Sequence, residues 1–157
     1  MLFVFVWLPK LGVGNIGHGS MQVNGEYISN WPGSLISVLY GPGQAAPDFN
    51  FDKAAEGGLP EVAFKLKGLD ESAIQDKWAE VKKGLTYSFT VKNCFQTVAE
   101  VLSEGMSFAQ EAIVDTIVPP GVVIVHATLI AYVNAVSIAC GQGLPKNLMT
   151  GKNIFSP

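Results

Sequence analysis

An Asn-Gly dipeptide at positions 24 and 25 constrains the fold of this chain more than any other feature. Strand-like segments of polar and apolar residues flank it on both sides. Asn-Gly favours the two-residue turn of a β-hairpin, because both residues readily adopt positive φ angles. The sequence therefore predicts a hairpin in which Val23 pairs with Glu26 and Ser20 pairs with Ser29.

This turn length also predicts which hairpin side chains share a face. Opposed residues and residues two apart lie on the same side of a sheet. One face is then formed by His18, Ser20, Gln22, Tyr27, Ser29 and Trp31. A three-residue turn would exchange the two faces of the second strand, so that Asn30 would lie on the same face as His18. Ser29 is therefore the first candidate to orient His18, and Asn30 is the second.

A helix-start signal surrounds Cys94. Asn93 can cap a helix whose first residue is Cys94, and Gln96 completes an Asn-x-x-Gln variant of the capping box. The positive end of the helix dipole favours the nucleophilic thiolate, and the free N–H groups there can stabilise an oxyanion. Cys94 is thus a candidate nucleophile and His18 a candidate base. The alternative is a packed cysteine and a turn histidine.

The remaining patterns predict an α+β fold, with a small antiparallel sheet packed against helices. Residues 31–60 are rich in proline and glycine and predict a long loop or a few short strands. Ser72 and Gln75 form a possible capping box for the second helix, and the tail after residue 140 has no regular pattern. The expected strands are 2–8, 18–23, 26–31 and 62–67, with a short one within 85–91, and the expected helices are 72–83, 94–103, 107–118 and 121–139.

Composition limits the function. The chain has 157 residues, which suits one domain spanning 1–157, and only 15% of them are charged. The net charge is −3 and no basic cluster exceeds Lys82-Lys83, so nucleic-acid binding is disfavoured. Two cysteines and two histidines are too scattered for a zinc site. We expect neither a metal nor a cofactor.

A glycine-rich segment, Gly12–Gly17, matches G-x-G-x-x-G. A dinucleotide site needs a helix directly after this motif, and the residues that follow are strand-like instead. The glycines therefore predict tight turns. His126 and Cys140 fall in an apolar helical pattern and are expected to be core residues.

Two apolar segments resemble targeting or membrane sequences. Met1–Leu8 is too short for a signal peptide and lacks a basic start, so we expect a protein without one, cytoplasmic in the cell that makes it. Gly121–Cys140 is charge-free and long enough to span a bilayer, but polar residues recur through it. A buried helix is the preferred interpretation, and contact of this stretch with a membrane stays open.

The order of these motifs resembles the circularly permuted papain-like cysteine hydrolases. That group includes permuted NlpC-type peptidases, relatives of lecithin-retinol acyltransferase and PPPDE isopeptidases. The resemblance covers roughly residues 3 to 104. The motifs are most similar to those of bacterial toxin domains such as type VI secretion effectors. The matching segments are Gly17-His18-Gly19-Ser20-Met21, Tyr27-Ile28-Ser29-Asn30-Trp31-Pro32, and Tyr87-Ser88-Phe89 through Asn93-Cys94-Phe95-Gln96-Thr97-Val98, together with the intervening strand and helix at 62–83.

The resemblance implies that His18 deprotonates Cys94, that the thiolate attacks an amide carbonyl, and that water releases the acyl-enzyme. It implies a peptidoglycan peptide stem as first substrate, a protein or isopeptide as second, export into the periplasm of a target cell, and an immunity protein as partner. Many members carry His, Asn or Gln as third residue, where this chain offers Ser29 or Asn30.

Two further functions remain open at this point. A lipid-directed acyltransferase or phospholipase on the same scaffold is suggested by the apolar C-terminal stretch. A non-enzymatic binding domain would leave Cys94 merely packed.

Overall fold

The computed structural model describes residues 1–10, 16–34, 38–119, 121–123 and 125–152. The strands within these ranges are β1 (Leu2–Trp7), β2 (His18–Val23), β3 (Glu26–Pro32), β4 (Gly41–Ala45), β5 (Val62–Leu66) and β6 (Thr86–Tyr87). The helices are α1 (Phe49–Ala55), α2 (Glu71–Lys83), α3 (Cys94–Ser103), α4 (Phe108–Ile117) and α5 (His126–Ala139).

The strands form one antiparallel sheet in the order β5-β1-β2-β3-β4-β6, which confirms the α+β class. The hairpin is also confirmed, because Val23 pairs with Glu26 and Ser20 with Ser29. Its turn residue Asn24 has a φ of 47° and Gly25 a φ of 87°. Positive φ at both turn positions is the geometry that matches the twist of the two strands.

Both faces of the sheet are covered. On one face, apolar side chains of β1, β2 and β3 pack against α3 and α5 to form the main core. On the other face, the ring of Phe49 in α1 lies 5.0 Å from Phe5, 5.9 Å from Trp7 and 6.3 Å from Tyr27, between ring centroids. The polar face of the hairpin is therefore buried beneath α1 rather than open to water.

Helix α1 corrects the prediction for residues 31–60, which contain both β4 and this seven-residue helix. Asp48 caps it by accepting a hydrogen bond from the N–H of Phe51 at 3.0 Å. The short helix follows several turn-forming residues, so its one capping signal, Asp48, did not stand out in the sequence.

Two helix starts also differ from the predictions. Asp70, not Ser72, caps α2, because its carboxylate accepts hydrogen bonds from the N–H groups of Ser72 and Ala73, both at 3.0 Å. Helix α5 begins at His126 rather than at Gly121. The predicted starts of α3 and α4 are confirmed, with Asn93 and Ser107 as caps. The tail from 141 to 152 contains no helix or strand longer than a single bridge.

Helix α5 belongs to the core, with Leu129, Val133 and Val136 fully buried. In the described ranges, no helix combines the length and apolar character needed to cross a membrane. The prediction that His126 is a core residue is wrong, because it is the half-buried first residue of α5. Cys140 is half-buried at the other end of this segment and packs against the edge of the core.

Gly19 in β2 allows α3 and α5 to approach the sheet closely. A Cβ atom at this position would lie 2.8 Å from Leu129 Cδ2 and 2.8 Å from Phe95 Cδ1. Phe95 directly follows Cys94, so the absence of a side chain at Gly19 sets how near the start of α3 comes to the start of β2.

We expect Gly19→Ala to lower the free energy of unfolding by about 1–3 kcal/mol, because the added methyl overpacks a filled contact. Urea denaturation measures this change. Gly84→Ala is the matched control, since nothing lies within 4 Å of its added Cβ. Equal midpoints for Gly19→Ala and the wild type would contradict the close-approach role.

Candidate active site

Cys94 is the first residue of α3, as the capping pattern predicts. Asn93 Oδ1 accepts a hydrogen bond from the N–H of Gln96 at 3.1 Å, and Gln96 Oε1 accepts one from the N–H of Asn93 at 2.9 Å. This reciprocal capping box holds Cys94 at the positive end of the helix dipole.

His18 is the first residue of β2, where two indole rings hold its imidazole. The ring of Trp31 stacks on it with centroids 4.3 Å apart, and the ring of Trp7 lies 5.8 Å away. Trp7 is also the strand partner of His18 in β1. The imidazole is therefore confined to one orientation, which a base that must meet a nucleophile requires.

The structure brings His18 and Cys94 together although they are distant in the sequence. Cys94 is the neighbour that does most to raise the pKa of His18, which requires the two side chains to lie close together. The Nε2 atom of His18 is occupied by two other partners, at 2.9 Å from Ser29 Oγ and 2.9 Å from Asp52 Oδ2. This leaves Nδ1 as the ring nitrogen available to the sulfur of Cys94.

The protonation of His18 reflects its charged neighbours. Burial favours the neutral imidazole, but the electrostatic interaction with Cys94 and the hydrogen bond to Asp52 outweigh it and raise the pKa of His18 to about 10. The site therefore favours a protonated imidazole at neutral pH.

Asp52 is the residue of this site that the sequence did not reveal. It lies in α1, is fully buried, and accepts four hydrogen bonds. The donors are His18 Nε2 at 2.9 Å, Tyr27 Oη at 2.7 Å, Ser29 Oγ at 3.1 Å and Trp31 Nε1 at 2.7 Å.

These donors keep the carboxylate of Asp52 ionised. Burial alone would raise its pKa, but the hydrogen bond and charge of His18, together with Tyr27 and Trp31, hold the pKa below its ordinary value. The same carboxylate, with burial, raises the pKa of Tyr27, so the phenol remains a donor. The pair Asp52–His18 has the geometry that fixes which ring nitrogen of an imidazole carries the proton.

Ser29 contacts His18, as the hairpin parity predicts. Its hydroxyl also donates to Asp52, so it links the histidine and the carboxylate rather than replacing the carboxylate. The role of Ser29 as the orienting residue itself stays a prediction.

Asn30 does not reach His18. Its Nδ2 donates to the carbonyl oxygen of Thr86 at 3.0 Å and to Thr97 Oγ1 at 3.0 Å, on the side of the sheet that faces α3. The two-residue turn explains this, because it leaves Asn30 on the face opposite His18. Asn30 therefore connects β3 to β6 and α3.

Tyr87 of β6 is a second neighbour of Cys94 that the sequence did not reveal. Burial raises the pKa of its phenol, and so does the electrostatic interaction with Cys94. Cys94 and His18 are each 2% exposed and Asp52 is 0% exposed. The sulfur of Cys94 therefore lies near His18 and Tyr87 at the start of α3, shielded from bulk water.

A sequence signal for Asp52 existed but was weak. The run Asp48-Phe49 after Pro47 marks a helix start, and Asp52 lies one turn later. Nothing in that pattern says which strand the helix covers. The partner of His18 could therefore be found only from the packed structure.

The predicted turn at Gly12–Gly17 lies mostly outside the described residues. Gly17, which is described, has a φ of 85°, and the element that follows is the strand β2 rather than a helix. In the part of the chain that the structure describes, no three His, Cys, Asp or Glu side chains converge as a metal site requires.

Comparisons of the chain with models of protein families, with curated proteins and with solved structures found no match.

We expect NMR titration to show His18 protonated well above pH 7 in the wild type. Cys94→Ala should lower the pKa of His18, because the negative charge that does most to raise it is removed. The ring signals of His18 and His126 are assigned and followed between pH 5 and about 10. An unchanged titration of His18 in Cys94→Ala would contradict the electrostatic interaction between the two side chains.

We expect Asp52→Asn to lower the free energy of unfolding at pH 7 by on the order of 3 kcal/mol, because it breaks a buried charged network. A carboxyl group with a depressed pKa stabilises the fold above its unfolded pKa and loses this contribution as the pH falls. The variant should therefore lose less stability than the wild type between pH 5 and about 2.

Urea unfolding at several pH values measures both effects. Asp48→Asn is the matched control, since it makes the same substitution at the exposed cap of the same helix and asparagine also caps well. Parallel pH curves for wild type and Asp52→Asn would show that Asp52 is not ionised in the folded protein.

Proposed function

We propose that this chain is a cysteine hydrolase that cleaves an amide bond. Cys94 acts as the nucleophile, His18 as the base and acid, and Asp52 as the residue that orients His18. The single observation that supports this most is the contact of His18 Nε2 with the buried carboxylate of Asp52, 2.9 Å away, in a ring whose pKa is also raised by Cys94. This is the three-group arrangement that activates a thiol.

In the first half of the reaction, the Cys94 sulfur attacks the carbonyl carbon of the substrate and a C–S bond forms. The charge that develops on the carbonyl oxygen is stabilised by the N–H groups at the start of α3. The C–N bond then breaks, and the proton held by His18 passes to the departing amine. A thioester on Cys94 remains.

In the second half, water attacks the thioester while His18 takes one of its protons. The C–S bond breaks, the acid leaves, and the sulfur of Cys94 again pairs with the protonated His18. Asp52 stays ionised throughout and keeps the Nε2–H of His18 directed toward itself, so that Nδ1 serves the sulfur.

For the substrate, we propose a peptidoglycan peptide stem, with a protein or isopeptide bond as second choice. The support is the motif resemblance around His18, Ser29 and Cys94 to permuted papain-like toxin domains. On this proposal the protein is an effector that acts in the periplasm of a target cell, and its producer holds an immunity protein that binds it.

The experiment is expression of the protein in the periplasm of a Gram-negative host. We expect the wild type to lyse the cells and to release new muropeptides, whereas Cys94→Ser and His18→Ala should do neither. Cys140→Ser is the matched control, because it removes the other cysteine, which lies at the end of α5, and should remain lytic.

Labelling with iodoacetamide at pH 6 shows whether a negative result contradicts the proposed substrate or the proposed activation of Cys94. A poised Cys94 reacts faster in the wild type than in His18→Ala, whereas a merely packed thiol reacts slowly in both. Absence of lysis with fast labelling would reject peptidoglycan alone. Absence of lysis with slow labelling in both proteins would reject the hydrolase.

A further inference from the structure

Asn30 of β3 is a buried polar residue that the proposed mechanism does not use. Its side chain is 1% exposed and lies on the face of the sheet that packs against α3. Its Nδ2 atom donates two hydrogen bonds, to the carbonyl oxygen of Thr86 and to Thr97 Oγ1, both at 3.0 Å. Both hydrogens of one amide nitrogen are therefore engaged, and they join two separate elements to β3.

The two acceptors lie next to residues of the candidate active site. Thr86 directly precedes Tyr87 in β6, and Thr97 lies in the first turn of α3, three residues after Cys94. Thr97 Oγ1 in turn donates to the carbonyl oxygen of Asn93 at 2.9 Å. A continuous set of hydrogen bonds thus runs from β6, through the amide on β3, to the cap of α3.

The alternation of side chains along β3 places this one strand in contact with both parts of the site. The hydroxyl of Ser29 and the indole of Trp31 contact His18 on one face of the sheet. Asn30, between them, points to the other face and contacts the helix that begins at Cys94. The position of Cys94 relative to His18 therefore depends on contacts made by three consecutive residues.

The oxygen of the same amide has a different environment. Asn30 Oδ1 is buried and has no hydrogen-bond partner among the residues that the structure describes. It is also closely enclosed, since a Cβ atom at Gly43 of β4 would lie 2.6 Å from it. A buried acceptor without a partner lowers the stability of a fold. Stability alone therefore does not explain an asparagine at this position.

We propose that Asn30 is a positioning residue of the candidate active site, which holds Tyr87 and the start of α3, and with it Cys94, in place relative to His18. The catalytic consequence rests on the proposed function, because a displaced sulfur would no longer meet the imidazole in the geometry that thiol activation requires. The placement itself can be measured without a substrate.

Variants at both ends of one hydrogen bond test the proposal. Asn30→Ala removes both donors, Thr97→Val replaces one acceptor by a methyl group of similar size, and Thr97→Ser keeps the hydroxyl. Asn147→Ala is the matched control, because it removes another buried asparagine. The Nδ2 atom of Asn147 donates to the carbonyl oxygen of Glu61 at 2.9 Å, beside β5 at the opposite edge of the sheet from β6.

The first measurement is the NMR titration of His18. Cys94 raises the pKa of His18, so a shift of α3 away from the imidazole should lower this pKa toward its value in Cys94→Ala. We expect the lower pKa in Asn30→Ala and in Thr97→Val. Thr97→Ser and Asn147→Ala should keep the wild-type titration.

The second measurement is the rate of iodoacetamide labelling as a function of pH. A Cys140→Ser background leaves Cys94 as the labelled thiol. The rate at pH 6 is divided by the rate at about pH 10, so that a change in the exposure of the thiol cancels. We expect this ratio to fall about tenfold in Asn30→Ala and in Thr97→Val, because the thiol loses its alignment with the base.

Melting curves show which variants are folded, and Thr97→Val carries the test if Asn30→Ala is not. Lower melting temperatures with an unchanged His18 titration and an unchanged labelling ratio would overturn the proposal, since Asn30 would then only stabilise the fold. Equal changes in Asn147→Ala, or no recovery in Thr97→Ser, would overturn it as well. A wild type that labels as slowly as His18→Ala would reject the proposed function, while the titration of His18 still decides the placement.

Discussion

The burial of the Asp52 carboxylate is the constraint on which both the fold and the candidate site depend. A fully buried charge is costly unless its oxygens are hydrogen-bonded and its charge is paired. Here the donors come from β2 and β3 while the acceptor comes from α1, so all three elements must dock for the charge to be satisfied. The same docking buries the polar face of the hairpin, and Asp52 supplies the hydrogen-bond acceptor that His18, Tyr27 and Ser29 on this face then need.

The hydrogen bonds of Asp52 contribute both to the stability of the fold and to the arrangement of the candidate active site. The carboxylate that stabilises the contact of α1 with the sheet also fixes His18 in one orientation and raises its pKa. A hydrolase that needs an oriented imidazole thereby obtains it as a consequence of folding. Tyr27 and Trp31 contribute to both, since each donates to Asp52 and one of them also stacks on His18.

The start of α3 has a comparable double role. Its capping residues Asn93 and Gln96 place Cys94 and also hold the loop between β6 and α3. Gly19 lets this helix start approach β2, because any side chain there would meet Phe95. Cys94, His18 and the loop before α3 are therefore positioned by a few short-range contacts at one end of the sheet.

The sequence patterns predicted those features that depend on interactions between residues close together in the chain. The Asn-Gly turn established the register of the hairpin, and register placed Ser29 beside His18 and Asn30 on the opposite face. The Asn93–Gln96 box established the start of α3 to the residue. Both are local interactions, in which the partners lie within a few residues and leave a pattern that can be recognised.

The identity of the residue that orients His18 was decided only by the tertiary structure. Asp52 lies on a short helix within a segment rich in proline and glycine, and its position in the sequence carries no sign of the strand it covers. The position of Tyr87 beside Cys94 could not be predicted for the same reason. The sequence by itself determined the hairpin, its faces and the helix that begins at Cys94, because these follow from local turn and capping chemistry. Packing brought Asp52, His18 and Cys94 together, because contacts between distant segments depend on the burial of the whole sheet.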